Sequence, residues 1–129
     1  MSNDQQSPAV AAALAYVDAW SNHDFDTACA WFAPDIKVTV TTTHPEVPDA
    51  HLAGVEECSQ GLVQFARTVV PGSAQVIASM GDQRNALLVM TVMAQMDGQK
   101  VTVPAARLYL LDDDNKIKAE QIIFYAATS

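Results

Sequence analysis

From Ser7 to Ser21 the chain carries a single charged residue, Asp18, while Val10, Leu14 and Val17 form one helical stripe and Tyr16 and Trp20 a second. Ser7-Pro8 supplies an N-cap and a first-turn proline, so a helix is predicted over Pro8 to Ser21, apolar around most of its circumference and therefore in need of cover on nearly every side. In the next stretch, HDFDTACAWFAPDIKV from His23 to Val38, Asp24 can cap a second helix. Its apolar residues Phe25, Ala28, Cys29 and Phe32 fall at i, i+3, i+4 and i+7, and Pro34 ends it. Ile36 to Val40 alternates apolar and polar residues and is β-branched, the pattern of a strand with one buried face. His44 to His51, with Pro45 and Pro48, reads as a loop. Val55, Cys58, Leu62, Phe65 and Val69 keep helical spacing and predict a third helix from Gly54 to about Thr68, closed by Pro71-Gly72. The period then changes to that of strands: Ala74 to Met80, Ala86 to Met96, Val101 to Leu111 and Ile117 to Ala126. Asp97-Gly98 marks a tight hairpin, and Asp112 to Asn115 a longer polar turn.

Helix, helix, strand, helix and then four strands in succession is the segregated order of an α+β domain. The expected architecture lays three helices on one face of a strongly curved mixed or antiparallel sheet, with a lumen between the layers. With 129 residues and no repeat or linker, residues 1–7 are expected as a flexible N-terminus and 8–129 as one domain. Apolar residues occupy both parities of Ala86 to Met96, so the outer sheet face is expected to be covered by a second copy, giving a homodimer.

Composition narrows the partners. Hydrophobic residues make up 50% and charged ones only 17%, which describes a folded globule rather than a disordered chain. A net charge of -8, with seven unclustered Lys and Arg, argues against nucleic acid and anionic membrane surfaces. The longest apolar run, Ala9 to Val17, is too short to span a bilayer and lacks the basic flank of a secretory signal. Cys29 and Cys58 read as reduced core thiols, consistent with a cytoplasmic protein. Gly54, Gly61, Gly72 and Gly81 are too scattered to cradle a phosphate, so no cofactor is expected. His44, Glu46, Asp49 and His51 are the densest polar group. Two prolines exclude a helical His pair there, and a solvated loop without metal is the expected reading.

Ala13 to Trp20, Asn22-His23-Asp24-Phe25-Asp26, and Trp31-Phe32-Ala33-Pro34-Asp35 followed by Val38 resemble the nuclear transport factor 2-like superfamily, in particular its SnoaL-like and ketosteroid-isomerase-like members. Leu108-Tyr109 through Asp113, then Asn115-Lys116-Ile117 and the strand to Tyr125, resembles that group's final hairpin, so the likeness extends from Pro8 to Ala127. The resemblance implies a cone open to a small apolar molecule and a dimer across the outer face. It does not imply one activity, because this scaffold hosts many chemistries.

In ketosteroid isomerase a carboxylate moves the proton while a tyrosine and a protonated aspartic acid hold the enolate. The resemblance places the oxyanion tyrosine at Tyr16, the base at Val40 or Thr41, and the second acid at Ala106. Two of the three groups are missing, so the isomerase reaction itself is not expected. A limonene-epoxide-hydrolase reading needs acids flanking an arginine, and Arg107 has none at Ala105 or Tyr109. Tyr16 is either a pocket donor aimed at a ligand carbonyl or a core tyrosine bonded to a backbone oxygen. His44, just beyond the first strand, is a candidate acid or base at the cone mouth. Glu120 shares a face with Ile122 and Phe124 and is a candidate lumen carboxylate; the simpler alternative is a bulge turning it to solvent beside Lys118 or Arg107. Trp20, Val40, Phe65 and Phe124 are expected to line the pocket. So are Met90, Val92, Ala94 and Met96 on one strand, and Ala106, Leu108 and Leu110 on the next.

The expected function is therefore binding of a small hydrophobic, carbonyl-bearing molecule, with Tyr16, His44 and Glu120 as candidates for an isomerase, cyclase or hydratase type of step. The alternative is a noncatalytic ligand-binding or assembly module whose lumen is filled by side chains.

Overall fold

The computed structural model describes residues 7–43 and 49–125. These residues form α1 (Pro8–Ser21), α2 (Phe25–Cys29), β1 (Phe32–Thr42), β2 (Ala50–Ala53), α3 (Val55–Ala66), β3 (Gln75–Gly81), β4 (Asn85–Met96), β5 (Gln99–Leu111) and β6 (Ile117–Phe124). The strands build one curved, unclosed sheet in the order β2-β1-β6-β5-β4-β3, with the helices against one face. It is a mixed sheet, because β1 runs parallel to β6 while every other neighbouring pair is antiparallel. No helix among the described residues is long and apolar enough to cross a membrane.

α1 has the predicted bounds because its start is fixed chemically: the Ser7 side chain accepts from the Val10 N–H at 3.1 Å, and Pro8 occupies the first turn. It packs on β3, β4 and β5 and against α2 and α3, and Tyr16 and Trp20 are completely enclosed. The absence of charge along most of this helix is the sequence signature of that enclosure.

α2 is shorter than its apolar spacing predicts. It ends at Cys29, and Phe32 opens β1, where it pairs with Ile117. Pro34 thus lies inside a strand instead of stopping a helix. It falls where the β1–β6 register shifts between Phe32 and Lys37, a place where a residue without an N–H is tolerated. The predicted loop from His44 to His51 also gives way at its end, since Ala50–Ala53 pairs with β1 as the short edge strand β2. Residues 44–48 of that loop lie outside the described residues. The Asp97-Gly98 turn is as expected, with φ of 52° and 79° at the two residues.

A register shift in the final hairpin decides what faces the helices. Leu111 pairs with Ile117, but Leu110 pairs with Ala119 and Tyr109 with Glu120, leaving Lys118 as the extra, exposed residue. Ile117, Glu120 and Ile122 are consequently all buried, and their cross-strand companions on β5 are Arg107, Tyr109 and Leu111. The expectation that Ala106, Leu108 and Leu110 face the lumen is therefore wrong by one residue. A single-residue slip sends every side chain to the opposite face, and Leu108 is 40% exposed on the outside. On β4, Met90, Val92 and Ala94 are buried, whereas Met96, near the hairpin tip, is exposed.

Among the glycines, the tightest surroundings are at Gly81. A Cβ there would press on the Asn85 carbonyl oxygen and come within 2.9 Å of Val10 Cγ2, joining the β3–β4 turn to α1. Gly81→Ala is expected to destabilise the protein by about 1–3 kcal/mol, measured as a lowered urea midpoint with an unchanged m-value.

Candidate functional site

Four polar side chains from three elements meet between the helices and the concave sheet face. α1 contributes Tyr16, β5 contributes Arg107 and Tyr109, and β6 contributes Glu120. The Tyr16 hydroxyl donates to Glu120 Oε1 at 3.4 Å, and Arg107 Nη1 contacts Glu120 Oε2 at 3.4 Å. Tyr109 is the cross-strand partner of Glu120, and its ring meets that of Tyr16 edge-on at 5.9 Å. Aromatic rings close the cluster. The Arg107 guanidinium lies 4.8 Å from the Trp20 ring centre, 5.7 Å from Phe65 and 5.8 Å from Phe124, a cation held among three π faces.

The side chains of Arg107 and Glu120 are each only 3% exposed, so the pair has been taken out of water. Burial raises the Glu120 carboxyl above its ordinary value, and the positive charge of Arg107 offsets part of that rise. Burial, reinforced by the Glu120 charge, also pushes both tyrosine hydroxyls well up, so they stay protonated and able to donate. The Cys58 thiol on α3 is raised to about 11 by desolvation and then by Glu120.

The cluster is held loosely. Charge-assisted hydrogen bonds settle at about 2.7–2.9 Å, and both contacts to Glu120 are longer. Among the described residues, three buried polar atoms have no well-formed hydrogen bond to another protein atom: Arg107 Nε, Tyr109 Oη and Trp20 Nε1. The Tyr109 hydroxyl interacts with both Glu120 and Arg107 by charge and by weak hydrogen bonding, though neither contact reaches well-formed geometry. Each orphaned buried donor costs on the order of 1–3 kcal/mol, and all three can donate.

Of the residues expected at the site, Tyr16 and Glu120 come together. Tyr16 combines its two expected roles differently from either: its ring fills the core, and its hydroxyl meets a carboxylate rather than a backbone oxygen. Glu120 is on the lumen face and does pair with Arg107, but the bulge turns it inward, not to solvent. Trp20, Phe65 and Phe124 form the wall around Arg107. Val40, opposite Ile122, is half-buried, and Met90 and Val92 lie in the core. Ala106 and Leu108 are on the outer face and leave the site. His44 lies outside the described residues.

Arg107 and Tyr109 were not among the expected site residues. The signal that could have found them was Glu120 itself, since a carboxylate on an apolar face calls for polar company across the hairpin: Tyr109 is directly opposite, and Arg107, expected beside Glu120 only in the solvent-facing alternative, is the diagonal neighbour. The acidic neighbour of Arg107, sought on its own strand, comes from β6. A cleft of about 360 Å³ beside Leu14, Asp18 and Val76, and another of about 350 Å³ along α3 at Ser59, Val63 and Arg67, are lined by none of the cluster residues.

Residues 13–120 match a family described as the SnoaL-like domain. Among solved structures, a Kribbella flavida protein is 28% identical over 89% of this chain and 84% of its own, with a TM-score of 0.71. An LEH-like epoxide hydrolase of Mycobacterium tuberculosis is 19% identical over 91% of this chain and 82% of its own, TM-score 0.68. A further M. tuberculosis protein, solved in complex with estradiol-17beta-hemisuccinate, is 16% identical over 91% of this chain and 93% of its own, TM-score 0.76. At identities this low, the latter two share the fold alone. No curated protein matches the sequence.

Two measurements test the electrostatics. Arg107→Met strands a buried carboxylate and is expected to cost about 3–5 kcal/mol, whereas the double variant with Glu120→Gln should cost less than the two single changes added together, as read by chemical denaturation. Because the folded value of Glu120 is raised, its contribution to stability is fully present below the usual value of 4.5 and is lost as pH rises through the folded value. The melting temperature of the wild type should therefore fall relative to that of Glu120→Gln as pH rises from acid to neutral.

Proposed function

The chain belongs to the SnoaL-like domain family, whose match covers residues 13–120, and we propose that its cone binds a small apolar molecule by one oxygen function against Tyr16, Arg107, Tyr109 and Glu120. The observation that carries this reading is the set of orphaned donors around a loosely held, buried ion pair. A core selected for stability alone gains little from such a pair, since apolar residues of similar volume do as well or better. Buried polar groups left without partners, together with a displaced carboxyl pKa, are instead characteristic of sites completed by a ligand. The rings of Trp20, Phe65 and Phe124 offer apolar walls, and the tyrosine and guanidinium donors fix the oxygen. The estradiol-17beta-hemisuccinate complex of the M. tuberculosis neighbour supports the idea that this fold accommodates such a molecule.

Glu120 is the proton carrier of this site. It takes the place of the strand carboxylate that Val40 cannot supply, and it reaches the same face from the neighbouring strand. Proton transfer at or beside the bound oxygen, as in a cofactor-independent isomerisation, cyclisation or hydration, is the chemistry open to one raised carboxyl flanked by donors. Phe65 and Phe124, 5.6 Å apart and each only partly buried, are the residues that must separate to admit the molecule.

The outer sheet face supports the dimer reading. Met80, Leu87 and Leu108 form one apolar row across β3, β4 and β5, and Ala78, Val89, Ala106 and Ile123 form the next. Met80 is 66% and Leu108 40% exposed, so among the described residues neither end of the first row is covered. A second copy of this chain covers it in the proposed assembly.

Native mass spectrometry of freshly purified protein tests both halves of the proposal. The expected spectrum shows a dimer with a retained small molecule. Leu108→Lys should yield monomer, and Arg107→Met should lose the added mass. A wild-type spectrum without added mass, joined to unchanged Trp20 fluorescence in Trp31→Phe protein titrated with apolar ketones and acids, would mean that the lumen is filled by its own side chains.

A further inference from the structure

The bonding of Arg107 narrows the class of molecule. A guanidinium presents five N–H donors in a planar fork. Arg107 is the one buried cation among the described residues, yet Glu120 engages it only through Nη1, at 3.4 Å, and Nε has no partner. The Nε edge is the part of the fork that pairs side by side with a carboxylate. Tyr109, whose hydroxyl interacts weakly with both Glu120 and Arg107, adjoins the same pair.

Charge balance then sets a condition. The interior holds one positive and one negative group, and a second anion could join Arg107 only if the charge of Glu120 were removed. Uptake of a proton by Glu120 meets that condition, and it turns the carboxylate into a further donor. The groups facing Glu120 permit this: Tyr16 from α1, Cys58 from α3, Arg107 and Tyr109 from β5, and the apolar Val38 opposite it on β1; Cys29 of α2 acts only through Tyr16. Among these, Arg107 is the single group that opposes protonation by its charge. Burial already favours the neutral carboxyl.

We infer that the molecule bound in the cone is an organic acid, its carboxylate held on the Nε edge of Arg107 with the Tyr109 hydroxyl donating, and that Glu120 takes up a proton as it binds. The site thus accepts an anion and a proton as a neutral sum, and its ring walls take the apolar body. This rests on the reading of the cone as a ligand site and specifies the substrate class for it.

The test is calorimetric titration of the full chain with naphthoate and with acetonaphthone, its neutral ketone counterpart, in two buffers of different ionisation enthalpy at one pH. Naphthoate is expected to bind at least about tenfold more tightly. Its binding should be accompanied by uptake approaching one proton where Glu120 is ionised in the free protein, with affinity falling as pH rises. Glu120→Gln should abolish the uptake and retain naphthoate binding. Naphthoate binding without proton uptake in the wild type, or equally tight binding of the ketone, overturns the inference while leaving the ligand-site reading in place. Failure of both probes to bind overturns the two together.

Discussion

The contact between Arg107 and Glu120 is the constraint around which the interior is arranged. Two opposite charges that are each 3% exposed can be accommodated only if they face one another and the remaining polar atoms find partners. The fold meets the first condition through one extra residue, Lys118, which shifts β6 against β5 so that Glu120 stands beside Tyr109 and within reach of Arg107. It leaves the second unmet at Arg107 Nε and the Tyr109 hydroxyl. That combination, enclosed charge with unspent donors, gives the cone a chemical polarity that an apolar core would lack.

The elements around this contact divide the work. α1 is the rigid side: capped at Ser7, buried along nine of its residues and carrying both Tyr16 and Trp20. α3 is the looser side, with only Cys58 and Ala66 buried and no side-chain cap at Gly54. Phe65 projects from this looser helix onto Arg107 and Phe124, so the side of the cage most easily displaced is also the one that covers the guanidinium. Regions with few buried apolar residues are those that open at low free-energy cost. A loosely held buried pair thus lies behind a ring carried by the more weakly anchored helix.

The exchange of strand positions relative to ketosteroid isomerase has a similar logic. Val40 and Ala106 lack the carboxyls which that resemblance would place there, and Ala106 faces outward altogether. Among the described residues the one buried carboxylate comes from β6, paired with a cation from β5. A carboxyl whose nearest charge is an arginine behaves differently from one whose companion is a second acid: the guanidinium holds down a value that burial pushes up. The inward-facing chemistry of this chain is therefore that of one carboxyl, one guanidinium and two phenols.

By itself the sequence determined the architecture. Helical spacing in Pro8 to Ser21, the Asp24 cap, the Asp97-Gly98 turn and the long alternating runs after Ala74 are local patterns, and local hydrogen bonding and steric preference largely settle what they become. For Glu120 the period of two through Ile122 and Phe124 offered an inward face as one of two readings, with a bulge to solvent as the other. What only the tertiary structure decided was how strands meet: the parallel pairing of β1 with β6, the conversion of Phe32 and Pro34 from helix end to strand, the short β2, and above all the bulge at Lys118. On β5 both parities are rich in apolar residues, so alternation alone does not say which set faces inward. Register is a relation between two strands, set by packing across the sheet, and one inserted residue reverses it. That reversal moved Leu108 to the surface and brought Arg107 and Tyr109 to Glu120.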